Sequence, residues 1–335
     1  MKQSATAQEV ARQAGVSQSA VSRTFTPGAS VSSATREKVL AAAAALGYRP
    51  NALARSLITR RSRIIALVMN YLDNQFYPQV IEKLSQQLQQ EGYHVLMFIG
   101  ETGQHNADAV LTEILQYQVD GIVLASTTLS PELARNCEAS GVPVVLLNRL
   151  AQIGQQALRG TSSVTTANRQ GGLLVAQWLV AQGYRRIAYV AGLENASTSI
   201  EREAGLREGL AQAGLTLHAR TSGDYNFETA QQAMRELLSL PSRPDAVFVA
   251  NDHMAIAALD VARIECGLRV PQDVAVVGFD DIAPARWGSY QLTTVLQDVP
   301  AMVQATVELL MEQMQGRVQA RHVVLECRLI ERATA

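Results

Sequence analysis

Thr6-Ala7-Gln8-Glu9-Val10-Ala11-Arg12-Gln13-Ala14-Gly15-Val16-Ser17-Gln18-Ser19-Ala20-Val21-Ser22-Arg23 reads as two short helices meeting at a glycine. Thr6 and Glu9 have the T-x-x-E spacing of a capping box, so a helix starts at Ala7. Val10, Ala11 and Ala14 recur at helical spacing and form its inward face. Gly15 suits the left-handed residue that ends it. Val16 fills the corner, and Ser17 caps a second helix from Gln18 to Arg23. Such a pair is a helix-turn-helix. Pro27 and Gly28 mark a loop. Ser32 or Ser33 then caps a third helix that stops at Gly47, with Val39, Leu40, Ala43 and Leu46 as its expected buried stripe. Three helices over about 45 residues make a small core of the DNA-reading type.

Charge separates this head from the rest of the chain. Residues 1–63 hold ten Lys/Arg against Glu9 and Glu37, a net of +8. The remainder holds the other 19 of 29 basic side chains and 28 of 30 acidic ones, a net of −9. The whole-chain charge of −1 therefore hides a cationic head on an anionic body. A polyanion attracts only the head, which points to a nucleic-acid reader joined to a different module. At 335 residues, two or three domains are expected.

Within the head, the second helix opens with small polar side chains and ends at Arg23. Early positions of such a helix face base edges, where Gln, Ser and Arg pair with bases. Gln18, Ser19 and Arg23 are the base-contact candidates. Ser17, Ser22, Ser33, Thr35 and Arg36 are expected to hold phosphate, and Thr6 joins the DNA-contacting set. A small helical domain without nucleic acid would leave that polar face unexplained. The segment Asn51–Leu57 has length for two helical turns but too little apolar surface to fold alone, so it needs a partner or DNA.

From Arg63 on, β-branched runs alternate with amphipathic stretches. Expected strands are Ile64–Met69, His94–Ile99, Gly121–Ala125, Val144–Leu147, Ile187–Val190, Ala246–Ala250 and Val274–Phe279. Tyr77–Glu91, Gly171–Gln182, Ser199–Ala213 and Asp252–Cys266 have helical spacing. This alternation predicts an α/β body of two doubly wound parallel-sheet lobes, with ligand between them at the carboxyl ends of the strands. Side chains at those ends are the effector candidates: Asp73, Phe76, Tyr77, Arg149, Thr198, Arg202, Tyr225, Asn251 and Asp280. Carboxylates and guanidinium groups suit vicinal hydroxyls or an acid group, and an aromatic suits the apolar face of a sugar. Asp281 reads equally as a helix cap, Asp252 as a structural N-cap and Tyr77 as core.

Other classes find little support. No G-x-G-x-x-G follows a strand, and neither G-x-x-x-x-G-K-[ST] nor G-x-S-x-G occurs. Gly171-Gly172 opens a helix but lacks the remaining glycines of a nucleotide loop. The five His are scattered, and Cys137, Cys266 and Cys327 form no CxxC pair, so no metal, cofactor or disulfide frame is expected. No apolar run has membrane-spanning length and the N-terminus lacks a signal-peptide core, so a cytoplasmic protein without membrane contact is expected. The rival reading is a cytoplasmic carbohydrate-binding or carbohydrate-modifying protein with an accessory basic head.

Val10-Ala11-x-x-Ala14-Gly15-Val16-Ser17-x-x-x-Val21-Ser22-Arg23, Val31-Ser32-x-x-Thr35-Arg36-x-Lys38-Val39 and Gly47-Tyr48-x-Pro50-Asn51-x-x-Ala54-Arg55-Ser56-Leu57 resemble the lac repressor family of bacterial transcription regulators. The resemblance covers essentially the whole chain. It implies a helix-turn-helix head over 1–50, a hinge over 51–62 and a periplasmic-binding-protein-like effector and dimerisation domain over 63–335. The N-lobe would comprise about 63–166 and 294–325, the C-lobe about 167–293 and 326–335, with crossovers near Ala167, Leu292–Thr294 and Leu325–Arg328. It also implies that Leu57 wedges into the minor groove of operator DNA beside Asn51, Ala54 and Arg55. Phe76, Tyr77, Arg202, Tyr225, Asn251 and Asp280 would line the effector cleft. One departure is Ala167, where the family usually has Asp, and Asn168 is the residue that could replace its polar contact. The loss of a negative charge tilts the expected effector from a neutral sugar toward a sugar acid or phosphate. No leucine heptads come after the last strand, so a homodimer on a pseudo-palindromic operator is expected rather than a tetramer.

Overall fold

The structure is a computed structural model that describes residues 5–26, 28–49, 61–69, 72–99, 113–125, 131–150, 152–153, 156–157, 161–316 and 319–335. The chain divides into two compact units, Met1–Ser62 and Arg63–Ala335.

In the first unit, α1 (Ala7–Ala14), α2 (Gln18–Thr24) and α3 (Ser33–Leu46) enclose Val10, Ala11, Val21, Val39, Ala42 and Ala43. Thr6 and Glu9 form the expected reciprocal capping box, and Gly15 and Gly47 end their helices at φ 66° and 64°. Ser32 is the cap of α3, accepting from the Thr35 N–H. The buried stripe of α3 differs from expectation, because Leu40 is 46% and Leu46 37% exposed. Adjacent helix residues point about 100° apart, so a face centred on Val39 and Ala43 turns Leu40 outward and takes in Ala42. Small alanines there let the three helices approach closely.

The second unit holds two parallel sheets. The larger combines β1 (Ile64–Met69), β2 (His94–Ile99), β3 (Gly121–Ala125), β4 (Val144–Leu147), β7 (Ser162–Thr166) and β13 (His322–Leu325) in the order β13-β7-β4-β3-β1-β2. A two-residue antiparallel pair, β5 (Gln152–Ile153) and β6 (Gln156–Ala157), precedes β7. The side chains of β1 alternate between two apolar clusters: Ile65, Leu67 and Met69 enter one, Ala66 and Val68 the other. A sheet covered on both faces reads as continuous apolar runs, which makes these strands legible in the sequence. Strand β7 is not, because its sequence is Ser-Ser-Val-Thr-Thr. Three of its buried hydroxyls have side-chain partners: Ser162 accepts from Gln313, Ser163 bonds His322 at 2.9 Å and Thr166 donates to Gln297.

The smaller sheet has the order β11-β10-β8-β9, from β8 (Ile187–Ala191), β9 (Ala219–Ser222), β10 (Ala246–Val249) and β11 (Ala275–Val277). A separate antiparallel pair joins β12 (Thr294–Gln297) to β14 (Cys327–Ile330). Bridges from Thr293 to Val277 and from Leu296 to Asp280 tie β12 to the C-lobe side. Thr294–Gln297 thus differs from its expected N-lobe placement. The chain enters the N-lobe at Asp298, which caps α10 (Val299–Met314). The cause is pairing, since backbone groups of β12 find partners in β14.

Further α-helices among the described residues include α4 (Phe76–Gln90), α5 (Pro131–Ser140), α6 (Asn168–Ala181), α7 (Ser197–Gln212), α8 (Phe227–Ser239) and α9 (Asp252–Asp260). Helices α6 and α7 cross at glycines. A Cβ on Gly172 would overlap the Arg202 carbonyl, and one on Gly205 the Arg169 carbonyl. Gly172 therefore serves helix packing, while Gly171 leaves room for the Phe279 ring that lies under Arg202.

Candidate functional site

The head presents one polar face. Gln18, Ser19, Ser22 and Arg23 are exposed on α2, while Ala20, Val21 and Thr24 are buried. Ser17 Oγ accepts from the Ala20 N–H at 3.2 Å and lies 2.9 Å from Ser19 Oγ. Arg23 Nε donates to the Ser19 carbonyl at 3.4 Å, drawing the guanidinium along the helix. Ser33 is exposed at the start of α3, Thr35 accepts from Ser32 Oγ at 2.8 Å, and Arg36 Nη1 donates to the Thr24 carbonyl at 3.4 Å. Thr6 Oγ1 is committed to the capping box, donating to Glu9 at 3.0 Å. Asn51, Ala54, Arg55 and Leu57 lie outside the described residues.

In the second unit a narrow polar cleft opens where the strands of both sheets end. Asn74, Tyr77, Asn148 and Arg149 line it from the N-lobe, and Thr198, Arg202, Tyr225, Asn251 and Asp280 from the C-lobe. Hydrogen bonds already join the two walls. Arg149 Nη1 donates to Thr198 Oγ1 at 3.2 Å, and the Leu150 N–H donates to Ser197 Oγ at 3.2 Å. Thr198 Oγ1 in turn lies 3.0 Å from the Tyr225 hydroxyl.

Arg202 is 2% exposed and anchored on several sides. Nε donates to Asn168 Oδ1 at 2.8 Å, Nη1 donates to the Ala250 carbonyl at 2.5 Å, and the guanidinium lies 3.6 Å above the Phe279 ring. Its Nη1 is 3.7 Å from Asp280 Oδ1. Asp280 also accepts from Gln297 Nε2 at 2.6 Å and hydrogen-bonds Asn74. Burial pushes its carboxyl above the ordinary carboxylate range, while Arg202, Gln297 and Asn74 pull it back. Asp252 behind it is pushed up by burial and by the charge of Asp280, with Thr294 Oγ1 donating at 2.5 Å and the Ile282 N–H at 3.0 Å.

Seven of the nine effector candidates thus come together in this wall. Asp73 and Phe76 do not. Asp73 is a loop residue whose charge acts on His253, and Phe76 is core, edge-on to Tyr77 at 5.3 Å. The open readings resolve toward structure for two carboxylates: Asp252 ties down Thr294 and Ile282, and Asp281 pairs with Arg286 and Arg332 at 2.8 and 2.6 Å. Ala167 is absent from the cleft wall, and Asn168 spends its amide on Thr166 and Arg202. The missing charge at Ala167 therefore gives no geometric ground for preferring an acidic effector. Asn74 lines the cleft and Gln297 holds Asp280 without having been expected there. Asn148 ends β4 beside Arg149, a strand-end residue of a type that tolerates its φ of 59°.

A helix-turn-helix head followed by a two-lobed body with a polar cleft defines a ligand-responsive DNA-binding regulator. Residues 6–51 match the bacterial regulatory proteins, lacI family, and residues 176–335 match the periplasmic binding protein-like domain. The HTH-type transcriptional regulator CelR of Thermobifida fusca is 34% identical over 98% of this chain and 97% of its own length. The ribose operon repressor of Escherichia coli (strain K12) is 33% identical over 99% of this chain and all of its own. A CelR–cellobiose complex superposes with a TM-score of 0.74 at 34% identity, covering 99% of this chain and 100% of its own. The lac repressor dimer bound to operator and the anti-inducer ONPF does so at 0.87 and 30%, covering 99% of each chain. This chain belongs to the lacI family of bacterial regulatory proteins.

Proposed function

We propose that the chain is a transcriptional repressor that acts as a homodimer on a pseudo-palindromic operator and is controlled by a small carbohydrate. The observation that carries this is the cleft, whose nine polar lining side chains come from both lobes of a chain headed by a DNA-reading unit. A ligand bridging both lobes favours one lobe arrangement over another, and only such a preference shifts the DNA equilibrium. Relatives that include a ribose operon repressor and a cellobiose-bound regulator support a carbohydrate as that ligand. In this reading Gln18, Ser19 and Arg23 contact bases, and Ser17, Ser22, Ser33, Thr35 and Arg36 contact phosphate. Asn51, Ala54, Arg55 and Leu57 reach the minor groove at the operator centre, and Thr6 supports the head through its cap. A reader of operator DNA works in the cytoplasm. Gel-shift titration of genomic fragments tests the proposal. A discrete fragment should be retained and lose affinity by roughly 10³-fold or more between about 50 and 200 mM salt. Retention of no fragment at moderate salt would defeat it.

A further inference from the structure

We propose that Arg332 is a positioning residue for effector control: acting through Asp281, it holds Asp280 in the backbone conformation that turns its carboxylate toward Arg202. This rests on the reading that the effector meets Asp280, and adds a residue outside the cleft wall on which that contact depends.

Asp280 and Asp281 follow β11 with φ of 132° and 59°. Residues with a side chain seldom adopt such angles, and two in succession persist only where the surroundings over-determine them. Asp280 is held by its backbone. Its N–H donates to the Val295 carbonyl at 2.8 Å, and its carbonyl accepts from the Gln297 N–H at 3.3 Å. Asp281 is held by its side chain. Oδ1 accepts from Arg332 Nη2 at 2.6 Å and Oδ2 from Arg286 Nη2 at 2.8 Å.

The two arginines differ in what holds them. Arg286 is 59% exposed at its side chain and lies only five residues beyond Asp281, at the end of the 3₁₀ turn Ala283–Arg286. It belongs to the same loop and cannot fix that loop against another part of the fold. Arg332 is 13% exposed and comes from 51 residues further along the chain. Its Nη1 donates to the Leu292 carbonyl at 2.7 Å, and its backbone N–H donates to Thr293 Oγ1 at 3.0 Å. Two residues on, Thr334 is buried. Its Oγ1 accepts from the Thr293 N–H at 2.9 Å and donates to the Val276 carbonyl at 2.7 Å. The Val276 N–H donates to the Thr334 carbonyl at 2.8 Å.

The Arg332 guanidinium is thereby pinned to β11 and to the chain entering β12, the two segments that the loop joins. A planar fork can serve the Asp281 carboxylate and the Leu292 carbonyl together, which a point-like ammonium does less well. Without this tether Asp281 follows Arg286 toward solvent and the two φ angles relax. The Asp280 carboxylate then leaves its place 3.7 Å from Arg202 Nη1 and 2.6 Å from Gln297 Nε2.

The test compares full-length wild type, Arg332→Gln, Arg332→Lys and Arg286→Gln by crystallography and by calorimetric titration with ribose, glucose, galactose and cellobiose. In Arg332→Gln the Asp280 carboxylate should part from Arg202, and in Arg286→Gln it should stay. For a sugar that the wild type binds, Arg332→Gln should lose roughly tenfold or more in affinity, the worth of about one good contact. Arg332→Lys should recover part of that loss, which a mere packing defect would not, and Arg286→Gln should match the wild type. An unmoved Asp280 in Arg332→Gln overturns the inference. So does unaltered sugar affinity in that variant, or an equal effect of Arg286→Gln. Were Arg332→Gln not to fold, the double variant Arg332→Gln with Asp281→Asn, which strands no carboxylate, carries the same expectations. Failure of every sugar to bind the wild type counts against the carbohydrate reading alone, and the crystal structures still decide what holds Asp280.

Discussion

At the scale of single residues, Arg202 shows how a ligand clamp and a structural keystone share one side chain. It lies 2% exposed between Asn168, Ala250, Phe279 and Asp280. Removing one partner of a buried pair leaves an uncompensated charge. Arg202→Ala should therefore destabilise the body by about 3–5 kcal/mol. Adding Asp280→Asn removes the stranded charge and should recover part of the loss in a urea-unfolding series. A double variant no more stable than Arg202→Ala would mean that the ion pair is not the source. Asp252 gives the pH dependence. Its folded-state carboxyl is raised by burial, so the folded state binds its proton more tightly than the unfolded chain does. That contribution is fully present below the unfolded value of 3.8 and is lost as pH rises through the raised folded value. The melting temperature should fall from mildly acidic to mildly alkaline pH, and Asp252→Asn should flatten that fall, as differential scanning fluorimetry across pH would record.

At the scale of elements, the crossing of α6 and α7 positions the cleft more than any strand does. Gly172 and Gly205 let each helix backbone meet the other directly. Gly205→Ala forces the Arg169 carbonyl away and shifts α7, which carries both Thr198 and Arg202. A cost of about 1–3 kcal/mol or more is expected from overpacking, together with weakened effector binding. Unfolding curves and calorimetry on the variant check both. In the head, the decisive element is the N-terminus of α1. Thr6 satisfies Glu9 N–H there while Glu9 satisfies the Thr6 N–H at 2.8 Å. Thr6→Ala should cost the head about 1 kcal/mol, and Thr6→Ser should restore most of it. Equal stability of Thr6→Ala and wild type would assign Thr6 a role in DNA contact alone.

At the scale of the whole molecule, the two units have separate cores. Among the described residues, the head cluster draws on residues up to Tyr48 and the body clusters begin at Ile64. A chain trimmed to residues 63–335 should keep its circular-dichroism spectrum and effector affinity and lose operator binding. A trimmed chain that unfolds would show that the body depends on the head. The division itself was legible because charge changes sign near residue 63 and because each unit has its own periodicity, helical in the head and alternating strand and helix in the body. Capping residues, glycine stops and apolar strands act through neighbours in the chain, so the three head helices and β1 to β4 could be read directly. Strand β7 could not, since Ser162, Ser163 and Thr166 are buried against partners distant in sequence. The same holds for the cleft. Strand ends announced Tyr77, Arg149, Thr198, Arg202, Tyr225, Asn251 and Asp280, because parallel strands bring their carboxyl ends to one side. Only the tertiary structure decided that Phe76 turns into the core, that Asn168 is spent on Arg202, and that Gln297 joins Thr166 to Asp280 across 131 and 17 residues of chain. Hydrogen-bond satisfaction between remote segments depends on where the folded backbone places each donor and acceptor, and no local pattern in the sequence encodes that distance.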